Sequence, residues 1–378
     1  MGFKQLKELS FIGGADIIGT SITSIFWLFL ASQIPPEEYG ELFYFIGIAS
    51  IASAFVLVGT RNTITVYSSK NLKIESTLYF ISLILTIIAS FVIIIIFYKI
   101  DIIFLLFGYV INTLATGELL GKKLFSKYSQ YHLIQKVLTI GLGLLAFVFF
   151  ETEGIITALS ISYIFYTIII FKQFKQTKIN FSLLKNRTKF ILNNYLIEVL
   201  TKLNSHLNKF FIVPLLGFGV LGNFSLAMQL VNVGLIFTLI VFKYTVSYDA
   251  QGKYNKKLKV FTFVISIFIA IVGAIISPFI IPSIFPEYVE IIDVIQIISF
   301  SIIPMTLTKL FSSKLLGQEN SKQIVISKIV SISTFIAGIL ILAPDYGIYG
   351  LAISYLFSTI IESISLIPYS QKLFSRDD

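Results

Sequence analysis

The chain has 378 residues and no cysteine; 56% are hydrophobic and only 13% charged, with a mean hydropathy of +0.88 and a formal net charge of +9. A soluble fold cannot keep that much apolar surface from water, and without cysteine there are no disulfides, thiolate metal ligands or thiol nucleophiles. The positive charge is distributed as a topology signal and not as a nucleic-acid patch, because no basic cluster is interleaved with stacking aromatics.

A bilayer core about 30 Å thick takes roughly 20 apolar residues per helical crossing. On that measure the sequence predicts twelve spans, near 10–32, 41–60, 77–98, 102–121, 133–150, 154–171, 190–216, 222–242, 260–283, 288–308, 324–343 and 347–368. Every Lys and Arg except Lys99, Lys202 and Lys209 falls in alternate gaps: the N-terminus, 61–73, 122–136, 172–189, 243–259, 309–328 and the tail. The opposite gaps carry Glu37, Glu38, Glu41, Asp101, Glu151, Glu153, Glu287, Glu290, Asp293 and Asp345. Positive-inside bias therefore predicts a multi-pass protein of the cell membrane with both termini in the cytoplasm. The first apolar stretch is too long for a cleaved secretory signal and reads as an uncleaved anchor. The sequons at Asn180, Asn186 and Asn223 lie in a cytoplasmic gap or at a helix start and read as fortuitous.

The chain repeats itself. Around the first and seventh spans an offset of 182 aligns Asp16 with Glu198, Phe29 with Phe211 and Gly40 with Gly222. Near the ends of the halves the offset is 192, where residues 161–169 (ISYIFYTII) match 353–361 (ISYLFSTII) and Lys136 matches Lys328. Six spans per half give parallel repeats, related by a pseudo-twofold axis along the membrane normal, with substrate sites expected between them near the midplane. The predicted organisation is an N-lobe over 1–171, a cytoplasmic linker over 172–189 and a C-lobe over 190–378.

The seventh span is the most polar. Asn194, Glu198, Lys202, Ser205, His206 and Lys209 fall within about a third of the circumference of an ideal helix. A central charge facing lipid would cost roughly 2.5–3.5 kcal/mol, so Glu198 and Lys202 must face protein or water. Two readings stand. One is a self-satisfied i,i+4 ion pair between Glu198 and Lys202 that packs the lobes together. The other is a cleft-lining stripe whose surplus positive charge suits an anionic ligand; for Lys209, snorkelling to the boundary is an alternative. In the first span Asp16, Thr20, Thr23, Ser24 and Trp27 share one face at matching spacings. A membrane-embedded carboxylate such as Asp16 or Glu198 is a candidate ion-coupling site; for Asp16 a carboxylate hydrogen-bonded to neighbouring hydroxyls or near the cytoplasmic interface stands equally. Glu362 in the last span is a third candidate, with an interhelical hydrogen bond as its plainer reading. There is no Walker motif, no H-E-x-x-H and no Gly-x-Ser-x-Gly, and no soluble domain large enough to hold ATP.

Three segments carry a resemblance. Residues 29–43 (FLASQIPPEEYGELF) contain a P-E-x-[YF]-G turn, 207–227 (LNKFFIVPLLGFGVLGNFSLA) resemble the start of a second half, and 347–355 (GIYGLAISY) resemble a G-x-x-G-x-A opening of a last span. Together they resemble the polysaccharide-export, Wzx-like oligosaccharide flippases of the multidrug/oligosaccharidyl-lipid/polysaccharide (MOP) exporter superfamily, over the whole chain. The chain departs from many relatives at Asn208, where they carry an acidic residue. The resemblance implies a MATE/MOP-like, all-α membrane fold and a flippase that moves an isoprenoid-pyrophosphate-linked oligosaccharide from the cytoplasmic to the outer leaflet by alternating access. It implies no cofactor beyond a coupling ion, Na⁺ or H⁺, and as partners the lipid-linked oligosaccharide, membrane lipids and glycan polymerase or transferase proteins. Lys202, Lys209 and His206 would hold the pyrophosphate, with Asn194 and Ser205 beside them. The rival readings are a cation-coupled drug or metabolite antiporter of the same superfamily, more distantly a membrane glycan polymerase or transferase, and a scaffold with no transport cycle, against which the buried cationic stripe argues.

Overall fold

The computed structural model describes residues 3–185, 187–249, 255–317 and 321–370; Asn186 and the basic tail residues Lys372 and Arg376 lie outside them. Its regular structure among those residues is helical. Among the described residues nine helices are long and apolar enough to cross a membrane, and a tenth crossing comes from the pair Pro286–Ser299 and Ile302–Leu316, which bends by 41°. Two of the nine, Thr188–Gly234 and Lys322–Tyr369, run to 47 and 48 residues. A straight helix of that length would be about 70 Å long at 1.5 Å per residue, more than twice the bilayer core; neither segment is straight, and residues 188–234 also turn at Leu207 and Asn208. Each is broken by a glycine in a backbone conformation closed to other residues: Gly217 at φ 84°, ψ 175°, and Gly347 at φ 54°, ψ −131°. Those breaks fall at the predicted junctions between spans seven and eight and between eleven and twelve. Among the described residues the count is thus nine or ten and not the expected twelve; the two long helices each run over two of the expected spans.

Local sequence sets the ends. Pro36 opens helix Pro36–Val56 with Glu37 and Glu38 in its first turn, where the missing proline N–H costs nothing and acidic groups meet the positive helix end. That helix stops at Val56, earlier than the predicted span, and the chain restarts as the short helix Arg61–Ser69, capped by the Thr60 hydroxyl. The repeated motif folds two ways. In the first copy a 3₁₀ turn at Ile164–Tyr166 interrupts the helix, whereas residues 353–361 stay within Ser321–Ser370.

The chain packs as two compact units. One is Met1–Thr23 with Phe45–Leu207, the other Ser24–Tyr44 with Asn208–Asp378. The segment 24–44, which belongs to the first half of the sequence, is therefore held in the second unit. There Tyr288 donates a hydrogen bond to the Ile34 carbonyl at 3.1 Å, Tyr39 donates to the Trp27 carbonyl at 3.2 Å, and the two tyrosine rings meet edge to face. Within the first unit, Gln135, Thr139 and Ser162 form a buried hydrogen-bonded knot with no charge in it.

Candidate functional site

The predicted stripe divides at the turn between helices Thr188–His206 and Lys209–Gly234. Asn194 to His206 belong to the first unit and Lys209 to the second. Asn194 folds its amide back to the Phe190 carbonyl at 2.9 Å, and Ser205 donates to the Thr201 carbonyl at 3.1 Å, so both spend a polar atom on their own helix. His206 closes that helix, half-buried. Lys209 is buried in the second unit. Its ammonium donates to the Phe43 carbonyl at 2.8 Å and lies 5.0 Å from the centre of the Phe43 ring. This fastens span two's start to span seven's end, takes one of the ammonium's three donors and keeps it from snorkelling.

Glu198 and Lys202 do not form the i,i+4 ion pair that the plainer reading required. Among the described residues no contact within 4.0 Å joins them; Lys202 instead donates to the Ser50 hydroxyl at 3.3 Å and sits 5.9 Å above the Tyr109 ring. Glu198 and Arg61 are the charges that act on it. Arg61 also acts on Tyr128 and Tyr166, and its buried Nε has no hydrogen-bond partner.

Asp16 extends this network. Its carboxylate accepts a hydrogen bond from the Tyr128 hydroxyl at 3.0 Å and faces His132 Nε2 at 3.9 Å, with the Lys136 charge acting on it from the same helix. The Tyr128 and His132 rings stack, 5.8 Å between centres. Gly19 makes the approach possible: a Cβ there would stand 2.8 Å from His132 Nε2 and 3.1 Å from Lys136 Cγ. The first unit thus gathers Asp16, Arg61, Tyr128, His132, Lys136, Glu198 and Lys202 within its helices.

Sequence reasoning missed Arg61, Tyr128, His132 and Lys136, having assigned 61–73 and 122–136 to cytoplasmic gaps. In the structure helix Phe125–Phe150 begins early, so Lys136 lies eleven residues along it, about 16 Å from its start. The match of Lys136 to Lys328 across the repeat was the signal for it. Glu362 has the charges of Lys328 and Lys309 acting on it, and its main-chain carbonyl accepts from the Ser365 hydroxyl at 2.7 Å. Among the described residues no three His, Asp or Glu side chains gather as metal ligands. Two apolar hollows in the first unit, of about 470 and 370 Å³, contain none of the predicted site residues.

No sequence family and no curated protein matches the chain by sequence. Solved structures do match by fold. An inward-facing multidrug resistance MATE family transporter of the MOP superfamily superposes with a TM-score of 0.70 at 16% identity, over 94% of either chain. An outward-facing MATE transporter gives 0.67 at 16% identity, over 97% of this chain and 94% of that one. A MOP superfamily transporter from Pyrococcus furiosus, described as having a binding pocket of reverse polarity, gives 0.66 at 16% identity, over 98% and 97%. The chain therefore has the fold of MOP superfamily transporters: an all-α polytopic membrane protein.

Proposed function

We propose that this protein is a transporter for an anionic, lipid-linked cargo, most concretely an isoprenoid-pyrophosphate-linked oligosaccharide carried across the bilayer by alternating exposure. The observation that carries the reading is the charge balance of one cluster in the first unit, around Lys202. There Arg61, Lys136 and Lys202 stand with Asp16 and Glu198, and Lys202 is held by a hydroxyl and an aromatic ring instead of a carboxylate; the buried Glu75 and Glu118 are taken by Ser68 and by Tyr79 and Lys122. Charges kept from water are costly unless compensated, and a pyrophosphate compensates clustered cations through charge-assisted hydrogen bonds. An antiporter for organic cations needs the opposite surplus. Asp16, with Tyr128 and His132 against it, is the group we assign to ion coupling, because a carboxylate between a phenol and an imidazole can exchange a proton or Na⁺ as its surroundings change. The outer leaflet as destination rests on the resemblance of the three motifs.

The test is reconstitution. Purified protein in liposomes should translocate an isoprenoid-pyrophosphate oligosaccharide, and Arg61→Gln or Lys202→Gln should slow it. A charge-assisted hydrogen bond contributes about 1.5–3 kcal/mol, so each loss should amount to roughly ten- to hundredfold. Uptake of an organic cation against a Na⁺ or proton gradient, with lipid-linked sugar unmoved, would overturn the assignment in favour of the drug or metabolite antiporter.

A further inference from the structure

The two apolar hollows of the first unit flank one helix. The smaller, about 370 Å³, lies between helix Ile100–Gly121 and residues 157–167; the larger, about 470 Å³, lies between helices Phe125–Phe150 and Glu153–Ile161. Thr157 and Ile161 line both, and both are exposed. Phe104, Phe149 and Ile164 are exposed around them, so the mouths open on the side that meets lipid.

Local sequence builds the smaller hollow. A 3₁₀ turn at Ile164–Tyr166 follows helix Glu153–Ile161, whereas the repeated residues 353–361 continue as one helix. Gly108 lets Tyr163 close in as a wall: a Cβ there would stand 2.8 Å from Tyr163 Cδ2. Two of the lining hydroxyls are spent on their own backbone. Ser160 donates to the Ile156 carbonyl at 2.7 Å and Thr167 to the Ile164 carbonyl at 2.5 Å. The surface left is hydrocarbon and aromatic ring, which suits a ligand without polar groups.

That wall leads to the charges. The Tyr163 ring meets the Tyr109 ring at 5.6 Å between centres, and the Lys202 ammonium lies 5.9 Å from the centre of Tyr109. Two ring contacts therefore separate an apolar hollow from the cationic cluster, as a ligand with a charged head and an apolar tail requires. A straight acyl chain packs along a smooth helix surface; a chain with regular methyl branches is bulkier and needs a recess to pack densely.

We propose that the hollow walled by Phe104, Phe107, Ile111 and Tyr163, with its neighbour across Thr157 and Ile161, binds the isoprenoid tail of a lipid whose pyrophosphate lies at the Lys202 cluster. This rests on the cargo reading above and gives the apolar end of that cargo its place. Lipid tails are as apolar as the lining, so the hollow selects by packing and not by removing the chain from water.

The experiment uses the full chain in lipid nanodiscs. It is titrated with inorganic pyrophosphate, a short isoprenoid pyrophosphate, and a straight-chain alkyl pyrophosphate of equal carbon number. The branched chain should bind severalfold tighter than the straight one. Thr157→Trp and Ile161→Trp, which fill the hollows from the lipid side, should each abolish that preference. Val148→Trp, exposed and outside both hollows, should retain it. Inorganic pyrophosphate should bind all three variants as it binds the wild type, which shows that they are folded. A photoactivatable isoprenoid alcohol, carrying no charge, should label residues 104–111 or 157–167, and Thr157→Trp should remove the label. Equal affinity for the two chains, or a preference that survives both hollow-filling variants, would overturn the tail site. Labelling of the hollow with no pyrophosphate binding in any form would uphold the tail site and instead overturn the proposed cargo.

Discussion

Gly40 and Gly222 meet backbone to backbone. A Cβ on Gly40 would fall 1.9 Å from the Phe218 carbonyl oxygen, and a Cβ on Gly222 would fall 1.8 Å from the Pro36 carbonyl oxygen. The offset of 182 that relates Gly40 to Gly222 also relates Pro36 to Phe218, so the contact is reciprocal. That is the signature of a local twofold axis through the crossing, as in an isologous interface. Neither carbonyl can yield, because each is main chain within a helix end. Gly40→Ala and Gly222→Ala should therefore each destabilise the protein by about 1–3 kcal/mol or more, the usual penalty for overpacking. A lowered unfolding midpoint in detergent, or loss of protein from the membrane fraction, reads this out; wild-type stability in both variants would contradict it.

The same crossing offers a mechanical test. The chain has no cysteine, so introduced pairs are the sole thiols. A Cβ at Gly219 would lie 3.4 Å from the Glu37 carboxyl carbon, and the double variant Glu37→Cys, Gly219→Cys should be joined by a short bifunctional thiol reagent. The single tryptophan, Trp27, packs against the Phe43 ring at 4.9 Å and reports on the same region. If the crossing must part during each cycle, cross-linking should stop transport and fix the Trp27 emission. Transport at the uncross-linked rate would show the contact to be static.

How much of this was written in the sequence depends on the residue. Asp16, Glu198 and Lys202 were legible because a charge inside an apolar run has a high cost that only a protein or water partner removes. Arg61, Lys136 and Lys309 were not, because each borders an apolar stretch and the same bias that gives topology assigns such residues to a loop. Only the helix start at Phe125 shows that Lys136 lies well inside. Gly40 and Gly222 were legible as equivalent positions of a repeat, but equivalence does not say that the two touch. Lys209 was legible as a charge at the end of an apolar run, but its partner was not: it donates to the Phe43 carbonyl, which no pattern of side chains encodes.

Gly19 predicts the opposite behaviour from Gly40. The atoms nearest its missing Cβ are the tip of His132 and the stem of Lys136, both able to swing aside. Gly19→Ala should leave stability within about 1 kcal/mol, since alanine also suits a helix interior better than glycine. The displaced His132 should lose its approach to Asp16. Transport should therefore fall, and its dependence on the ion gradient should weaken, at unchanged expression and midpoint. Coupling identical to wild type would show that His132 takes no part.

The last prediction concerns stability alone. In the second unit Lys259 donates to Asp249 Oδ2 at 2.5 Å, the Ser313 hydroxyl donates to the same oxygen at 2.7 Å, and both charged side chains are sealed from solvent. The other carboxylate oxygen, Oδ1, is buried with no hydrogen-bond partner. Desolvation offsets most of what such a pair gains, while removing one partner strands the other charge. Lys259→Met should thus destabilise by about 3–5 kcal/mol, and Asp249→Leu combined with Lys259→Met should recover most of the loss. Ser313→Ala should cost less, about 1–3 kcal/mol, because the carboxylate keeps its ammonium and loses one hydrogen bond. Additive losses in the double variant, measured by unfolding midpoint, would mean that the pair adds net stability of its own and that the unsatisfied Oδ1 is no burden to the fold.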